Sequence, residues 1–181
     1  HNIPTYGEPT WVSAKDLNVS DKIAMFIPKL GDKDIDKDLA YLVGRYIGDS
    51  WKTPSGREKT PFKYYICCND QEQKELEDKL NSASISFSKN RNRTVNEYHL
   101  CTSSEKEKEL MILLEECGRR SESKKIPREV WNWNKESVKA LIEGYFAADG
   151  SIDKRHNIQR FCSINKNLIF EVAELIRAVY H

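Results

Sequence analysis

Two aspartates occupy equivalent places in two similar stretches, AYLVGRYIGDS at 40–50 and ALIEGYFAADG at 140–150. Each stretch reads as a helix with a small residue at every fourth position, Ala40, Gly44 and Gly48 in one and Ala140, Gly144 and Ala148 in the other. Residues four apart share one face, so two such stripes let two helix backbones approach closely. Asp49 and Asp149 fall where these helices end. The C-terminal end of a helix is partly negative, and a carboxylate placed there needs a positive partner. If the helices lie parallel and in matching register, the two acids emerge side by side. At roughly 4 Å and an effective dielectric near 20 they would repel by about 4 kcal/mol. Two carboxylates with the helix-end carbonyls of Gly48 and Ala148 form a nest of hard oxygens. That nest suits a divalent cation, Mg²⁺ above all and Mn²⁺ as its substitute, with water and phosphate as remaining ligands.

A single Asp-Gly at a helix end is routinely a turn or cap. The first copy carries Ser50 where the second carries Gly150. It keeps the acid while dropping the turn residue, which shifts the reading from turn to chemistry.

The elements that position the acids recur with a period near one hundred residues. Acidic residues Asp34, Asp36 and Asp38 offer caps for a helix beginning near Leu39. WKTPSGREKTP reads as a loop, FKYYICC as a strand and NDQEQKELEDKLNSA as an acidic amphipathic helix. ISFSKNRNRTVNEYHLCT reads as two strands around a polar turn at 90–92, and SSEKEKELMILLEECG as a helix capped by Ser103 or Ser104. After the linker SKKIPREVWNWN, packed down by Trp131 and Trp133, the cycle restarts with a helix, the loop SIDKRHN, the strand IQRFCSI and a last helix. Residues 5–28 carry short apolar runs broken by turn formers and read as short strands. The expected division is a β segment at 1–30, a first repeat with its linker at 31–133, and a second, shortened repeat at 134–181.

The chain has 181 residues, 39% hydrophobic and 31% charged, with a formal net charge of +1. That is enough for a proper core and argues against indiscriminate coating of nucleic acid, while leaving room for a local basic face. No apolar run is long enough to span a membrane and no signal-peptide layout is present, so an intracellular protein, cytoplasmic or nuclear, is expected. The cysteines, five in number, include no C-x-x-C pair. Cys67, Cys68, His99 and Cys101 would make a poor tetrahedral zinc site because adjacent ligands are badly placed, and buried thiols are the better reading.

With these residues in view, YLVGRYIGDS and LIEGYFAADG resemble the paired signatures of LAGLIDADG homing endonucleases, in the single-chain form found inside inteins. KKIP before the second signature and FCSINKNLIFEVAELI after it extend the likeness. The resemblance implies an α+β, pseudo-twofold fold of αββαββα repeats, the second truncated, with the signature helices as the central interface. It implies hydrolysis of one phosphodiester on each strand of a long double-stranded DNA site. Asp49 and Asp149 would be the metal-binding acids, each serving one scissile phosphate. Lys124 would be the basic residue near the active site, with Lys125 as second choice. WVSAKDL and VSDKIA resemble part of an intein splicing domain, and His1 corresponds either to its histidine or to a tag remnant. The rest of an intein and its host protein are the implied partners. Splicing needs an N-terminal Cys or Ser and a C-terminal Asn, so this chain is not expected to splice alone, and the shortened second repeat puts cleavage in question.

A duplex asks for a positive, strand-built surface. Lys52, Arg57, Lys59 and Lys63 cluster in one segment, Lys89, Arg91 and Arg93 in another, while 70–79 is acidic. Alternation on FKYYICC puts Lys63 and Tyr65 on the face away from Phe62, Tyr64, Ile66 and Cys68. Lys154, Arg155, His156 and Arg160 play the corresponding part in the second repeat, with Lys154, Arg155 and Arg160 as the DNA contacts. The competing reading is a module of the same family that holds DNA or RNA without cutting it.

Overall fold

The computed structural model describes residues 10, 12–21, 27–57, 60–101 and 103–180. The first repeat runs α1 (Lys37–Gly48), β1 (Ser50–Arg57), β2 (Thr60–Cys68), α2 (Gln73–Ser82), β3 (Phe87–Asn92), β4 (Val95–Leu100) and α3 (Glu105–Glu116). The second runs α4 (Lys135–Asp149), β5 (Gly150–Asp153), β6 (Ile158–Phe161) and α5 (Lys166–Tyr180). The strands are antiparallel throughout, in a sheet ordered β1-β2-β4-β3 and a separate β5-β6 hairpin.

Side-chain caps fix where the helices begin. Asp36 accepts the amides of Asp38 and Leu39 to open α1, and Asn134 accepts that of Ser137 to open α4. Of the two serines offered for α3, Ser104 is the cap, in a reciprocal pairing with Glu107.

The α1–α4 seam is built on reciprocal glycines. A Cβ on Gly44 would collide with the Leu141 carbonyl, and one on Gly144 with the Tyr41 carbonyl, so each glycine seats the other helix's backbone. Gly48 faces Ala148 in the same way, leaving room for one methyl and not two. The helices are therefore parallel and in register. Their entry is fixed by Lys33 bridging Trp133, by Asn134 Nδ2 donating to Asp34 Oδ1 at 2.8 Å, and by Ser137 Oγ bonding both the amide and the carbonyl of Ile35 at 3.0 Å. Other faces of each helix pack into its own half: Tyr46 against Tyr64, and Tyr145 and Phe146 against Phe161. One apolar cluster runs through both halves, with Trp133 of the linker fully buried in it.

The structure corrects three local readings. WKTPSGR is strand β1, an edge strand, and its Pro54 is tolerated there because an edge leaves one side of the backbone unpaired. GSID is likewise strand β5 rather than loop. The β3–β4 turn is Arg93-Thr94, with Asn92 paired to Val95 and Arg93 in the left-handed region at φ 56°, so it lies beyond residues 90–92. The strands expected across 5–28 fall largely outside the described residues, as does His1; Ala14–Asp16 forms one 3₁₀ turn. Among the described residues no helix is long and apolar enough to cross a membrane.

Candidate active site at the paired helix ends

Asp49 follows α1 directly and Asp149 closes α4, so the in-register seam delivers both acids to one place. A Cβ built on Gly48 would stand 3.4 Å from Asp149 Oδ2. Both side chains reach solvent. The protein packed beneath Asp149 raises its pKa, and the Asp49 carboxylate raises it further. Burial of its inner side also raises the pKa of Asp49, with Glu72 adding to the effect. The two acids thus share one end of the seam, and the charge of Asp49 is felt at Asp149.

The positive partner is in part already in the protein. Lys124 is 2% exposed, and its Nζ donates to the Tyr46 carbonyl and to Ser50 Oγ, both at 2.6 Å, while sitting 3.9 Å from the centre of the Tyr46 ring. Burial pushes this amine down to about 8, and its charge in turn lowers the pKa of both aspartates. Ser50 Oγ donates its own hydrogen bond to the Tyr46 carbonyl, so the residue that departs from the second signature anchors Lys124 at the end of α1. Lys125, the second choice, is exposed.

Arg45 is a further member of the site, outside the set that the repeated spacing points to. It is 1% exposed, and its guanidinium donates to the Ala147 carbonyl near the end of α4, to the Cys67 carbonyl of β2 at 2.9 Å, and to Glu72 at 2.9 Å. It lowers the pKa of both acids. The signal was present as a lone charge within the apolar run YLVGRYIG, where an unpaired arginine would be costly to bury.

The carboxylates of Asp49, Asp149 and Glu72 outnumber the buried cations Arg45 and Lys124 by one, so a net negative charge remains at the helix ends. Two exposed carboxylates at adjoining helix ends are hard oxygen donors, which fits a hard divalent ion better than a softer one. Among the described residues no group of three or more His, Cys, Asp or Glu side chains gathers around one point. An ion here would keep open positions for water or phosphate, and the cysteine and His99 zinc arrangement is not formed.

An open groove of about 480 Å³ leads from Asp49 past Trp51 and Cys67 to Arg93, Val95 and Glu97. Its floor continues across the sheet as an aromatic row. Trp51 stacks on Tyr65 with ring centres 5.2 Å apart, and Tyr65 lies 5.1 Å from His99. Lys63, exposed, and Tyr65, half-buried, share this face as their alternation requires.

Other basic residues lie elsewhere than expected. Lys52 is 7% exposed and donates from Nζ to the Glu115 carbonyl at 2.7 Å, over the Phe62 ring, so it caps the end of α3. Lys89 pairs with Glu77 and Arg91 with Asp70, both on the helix side of the sheet. The reason is strand phase: Phe87, Lys89 and Arg91 alternate onto one face, and Phe87 is held against Tyr98. Basic strand and acidic helix therefore neutralise one another. In the second repeat Arg160 stands opposite Ser151 as Tyr65 stands opposite Trp51, which puts it on the corresponding face, ion-paired to Asp153. Lys154 and Arg155 are exposed in the hairpin turn beside His156. Lys59 and the side chain of Arg57 lie outside the described residues.

The arrangement of helices and antiparallel strands has a counterpart among solved structures. It superposes on I-DmoI in complex with DNA and Mn with a TM-score of 0.50 at 20% identity, covering 77% of this chain and 76% of that one. A substituted I-DmoI bound to its nicked target DNA gives 0.51 at 18% identity, covering 80% and 77%. The fold is that of I-DmoI, itself a homing endonuclease.

By sequence the chain is 28% identical over 171 residues to the DNA-directed RNA polymerase subunit Rpo1C of Methanocaldococcus jannaschii, covering 88% of this chain and 18% of that protein. It is 30% identical over 119 residues to a DNA polymerase of Thermococcus kodakarensis, covering 66% of this chain and 7% of that protein. The chain thus spans less than a fifth of the length of the curated relatives it matches. No protein-family model matches it.

Proposed function

We propose that this chain is a divalent-metal-dependent, site-specific DNA endonuclease lodged within a larger host protein as part of an intein. The observation that carries the reading is the meeting of Asp49 and Asp149 at two in-register helix ends, above a buried arginine and a buried lysine. The host setting draws support from the relatives: a DNA polymerase and an RNA polymerase subunit share with this chain only 7% and 18% of their lengths, as a portable insert would. On the same reading, residues 1–30 belong with a splicing domain, and 31–133 and 134–181 are the two nuclease repeats.

Asp49 and Asp149, with the carbonyls of Gly48 and Ala148, would hold the cation. When bound, it supplies Lewis acidity at a phosphate oxygen and a more acidic water for in-line attack on phosphorus. The protein's own work is to keep two carboxylates together against their repulsion and to keep Lys124 beneath them. From there its positive charge offsets the negative charge that develops on the phosphate. Lys63 and Arg93 meet the phosphate backbone, Trp51, Tyr65 and His99 present an aromatic surface, and Lys154, Arg155 and Arg160 extend contact in the second half.

Nicking of a plasmid carrying the uninterrupted host sequence, in Mg²⁺, tests the reading. The wild-type chain should linearise it, and Asp49→Asn and Asp149→Asn should each abolish linear product while binding persists. Equal cutting by the mutants would end the nuclease assignment. Binding without cutting by the wild-type chain would favour a holding module.

A further inference from the structure

Position 45 and position 145 are counterparts in the repeat, yet they differ in kind. Tyr145 reaches from α4 to the Cys162 carbonyl of its own half at 3.2 Å. Arg45 does the same in the first half, donating to the Cys67 carbonyl, but its second arm crosses the seam to the Ala147 carbonyl. Cys67 is also the residue whose amide donates to the Asp49 carbonyl at 2.8 Å, and Ala147 lies two residues before Asp149. One guanidinium therefore grips the backbone beside both acids.

Packing alone does not account for it. A neutral aromatic fills the matching place in the second half. Arg45 is 1% exposed, its Nε has no hydrogen-bond partner among the described residues, and its ion-pair partner Glu72 is only partly buried. A buried cation with an unsatisfied donor is a poor source of stability. What its hydrogen bonds do is tie the two helix ends to the hairpin that follows Asp49.

We propose that Arg45 is a positioning residue that holds the Asp49 and Asp149 backbones at a fixed mutual spacing across the pseudo-twofold seam. Its bearing on catalysis rests on the nuclease reading; the tie itself does not.

Amide hydrogen exchange, without metal or DNA, reads the tie directly. In Arg45→Met the amides of Cys67, bonded to the Asp49 carbonyl, and Gly150, bonded to the Phe146 carbonyl, should exchange at least about tenfold faster. Amides at the far end of α4, such as that of Val138, should change by less than about twofold. A uniform rise across all amides, or no local change, overturns the proposal. If Arg45→Met fails to fold, Arg45→Lys, which keeps the charge but loses the fork, should give a local increase of intermediate size, and its absence counts equally against the tie. In the cleavage assay Arg45→Lys should lower kcat at least about tenfold with DNA affinity in Ca²⁺ unchanged. Local exchange changes with an inactive wild type would leave the tie standing and remove the nuclease reading. Normal exchange with an active wild type would do the reverse.

Discussion

The Lys124 amine donates to Ser50 Oγ at 2.6 Å, across 74 positions of sequence, and together with the Tyr46 carbonyl this hydroxyl is what holds a charged amine inside the protein. An amine near 8 in the folded state and 10.5 in the unfolded state is charged in both below about pH 8, so the cost of burying it is fully present there. Between pH 8 and 10.5 the unfolded chain binds more protons, and stability rises with pH. Relative to Lys124→Met, the wild-type chain should gain up to about 3 kcal/mol between pH 7 and pH 10, read by denaturant unfolding. Cleavage that depends on the charged amine should fall as pH passes about 8, and Ser50→Ala should move that fall lower and cost about 1–3 kcal/mol of stability.

Replacing either acid should make the protein more stable and less active. Burial raises the pKa of Asp49 and Asp149, so each carboxylate favours its neutral form on folding and opposes folding once pH exceeds the ordinary carboxylate range. Asp49→Asn and Asp149→Asn should therefore unfold at higher temperature than wild type at pH 7, with the difference vanishing toward pH 3. A loss of stability at pH 7 would contradict the crowding of charge at the helix ends.

The seam tolerates no methyl at its two crossing points. Gly44→Ala and Gly144→Ala each drive a Cβ into a backbone carbonyl of the opposite helix and should cost about 1–3 kcal/mol or more, despite alanine's better helix propensity. Both should lower cleavage beyond the loss of folded protein, because spreading the helices spreads the acids. Chemical denaturation with activity normalised to folded fraction measures both.

Salt dependence separates lysines on the two sides of the sheet. Lys63→Gln and Arg93→Gln should each weaken DNA binding and reduce the slope of log K against log salt by about 1. Lys52→Met should leave that slope unchanged and alter stability instead, since its amine is engaged with the end of α3.

Much of the frame was legible in the chain. The hundred-residue period, the small-residue stripes and the acids that end them pointed to parallel helices in register, because a stripe of glycine and alanine permits close approach only when matched by another. Caps were legible for the same local reason: Asp36 and Ser104 act on amides two or three residues away. Strand phase was less accessible. The β3–β4 turn lies beyond residues 90–92, at Arg93-Thr94, and only the anchoring of Phe87 against Tyr98 decides that Lys89 faces α2 and Arg91 the turn before it.

The sequence by itself determined that each acid ends a helix bearing a stripe of small residues, since both follow from spacing along one helix; that the two stripes meet in parallel register was decided by the packing of α1 on α4. The tertiary structure alone decided what balances their charge. Arg45 and Lys124 reach the site through contacts 22 to 102 residues away in sequence, and a cation's worth depends on what surrounds it after the chain has closed. Lys52 and Lys63 are the same residue type eleven positions apart; burial beneath a helix end, rather than composition, makes one a cap and leaves the other exposed on the sheet.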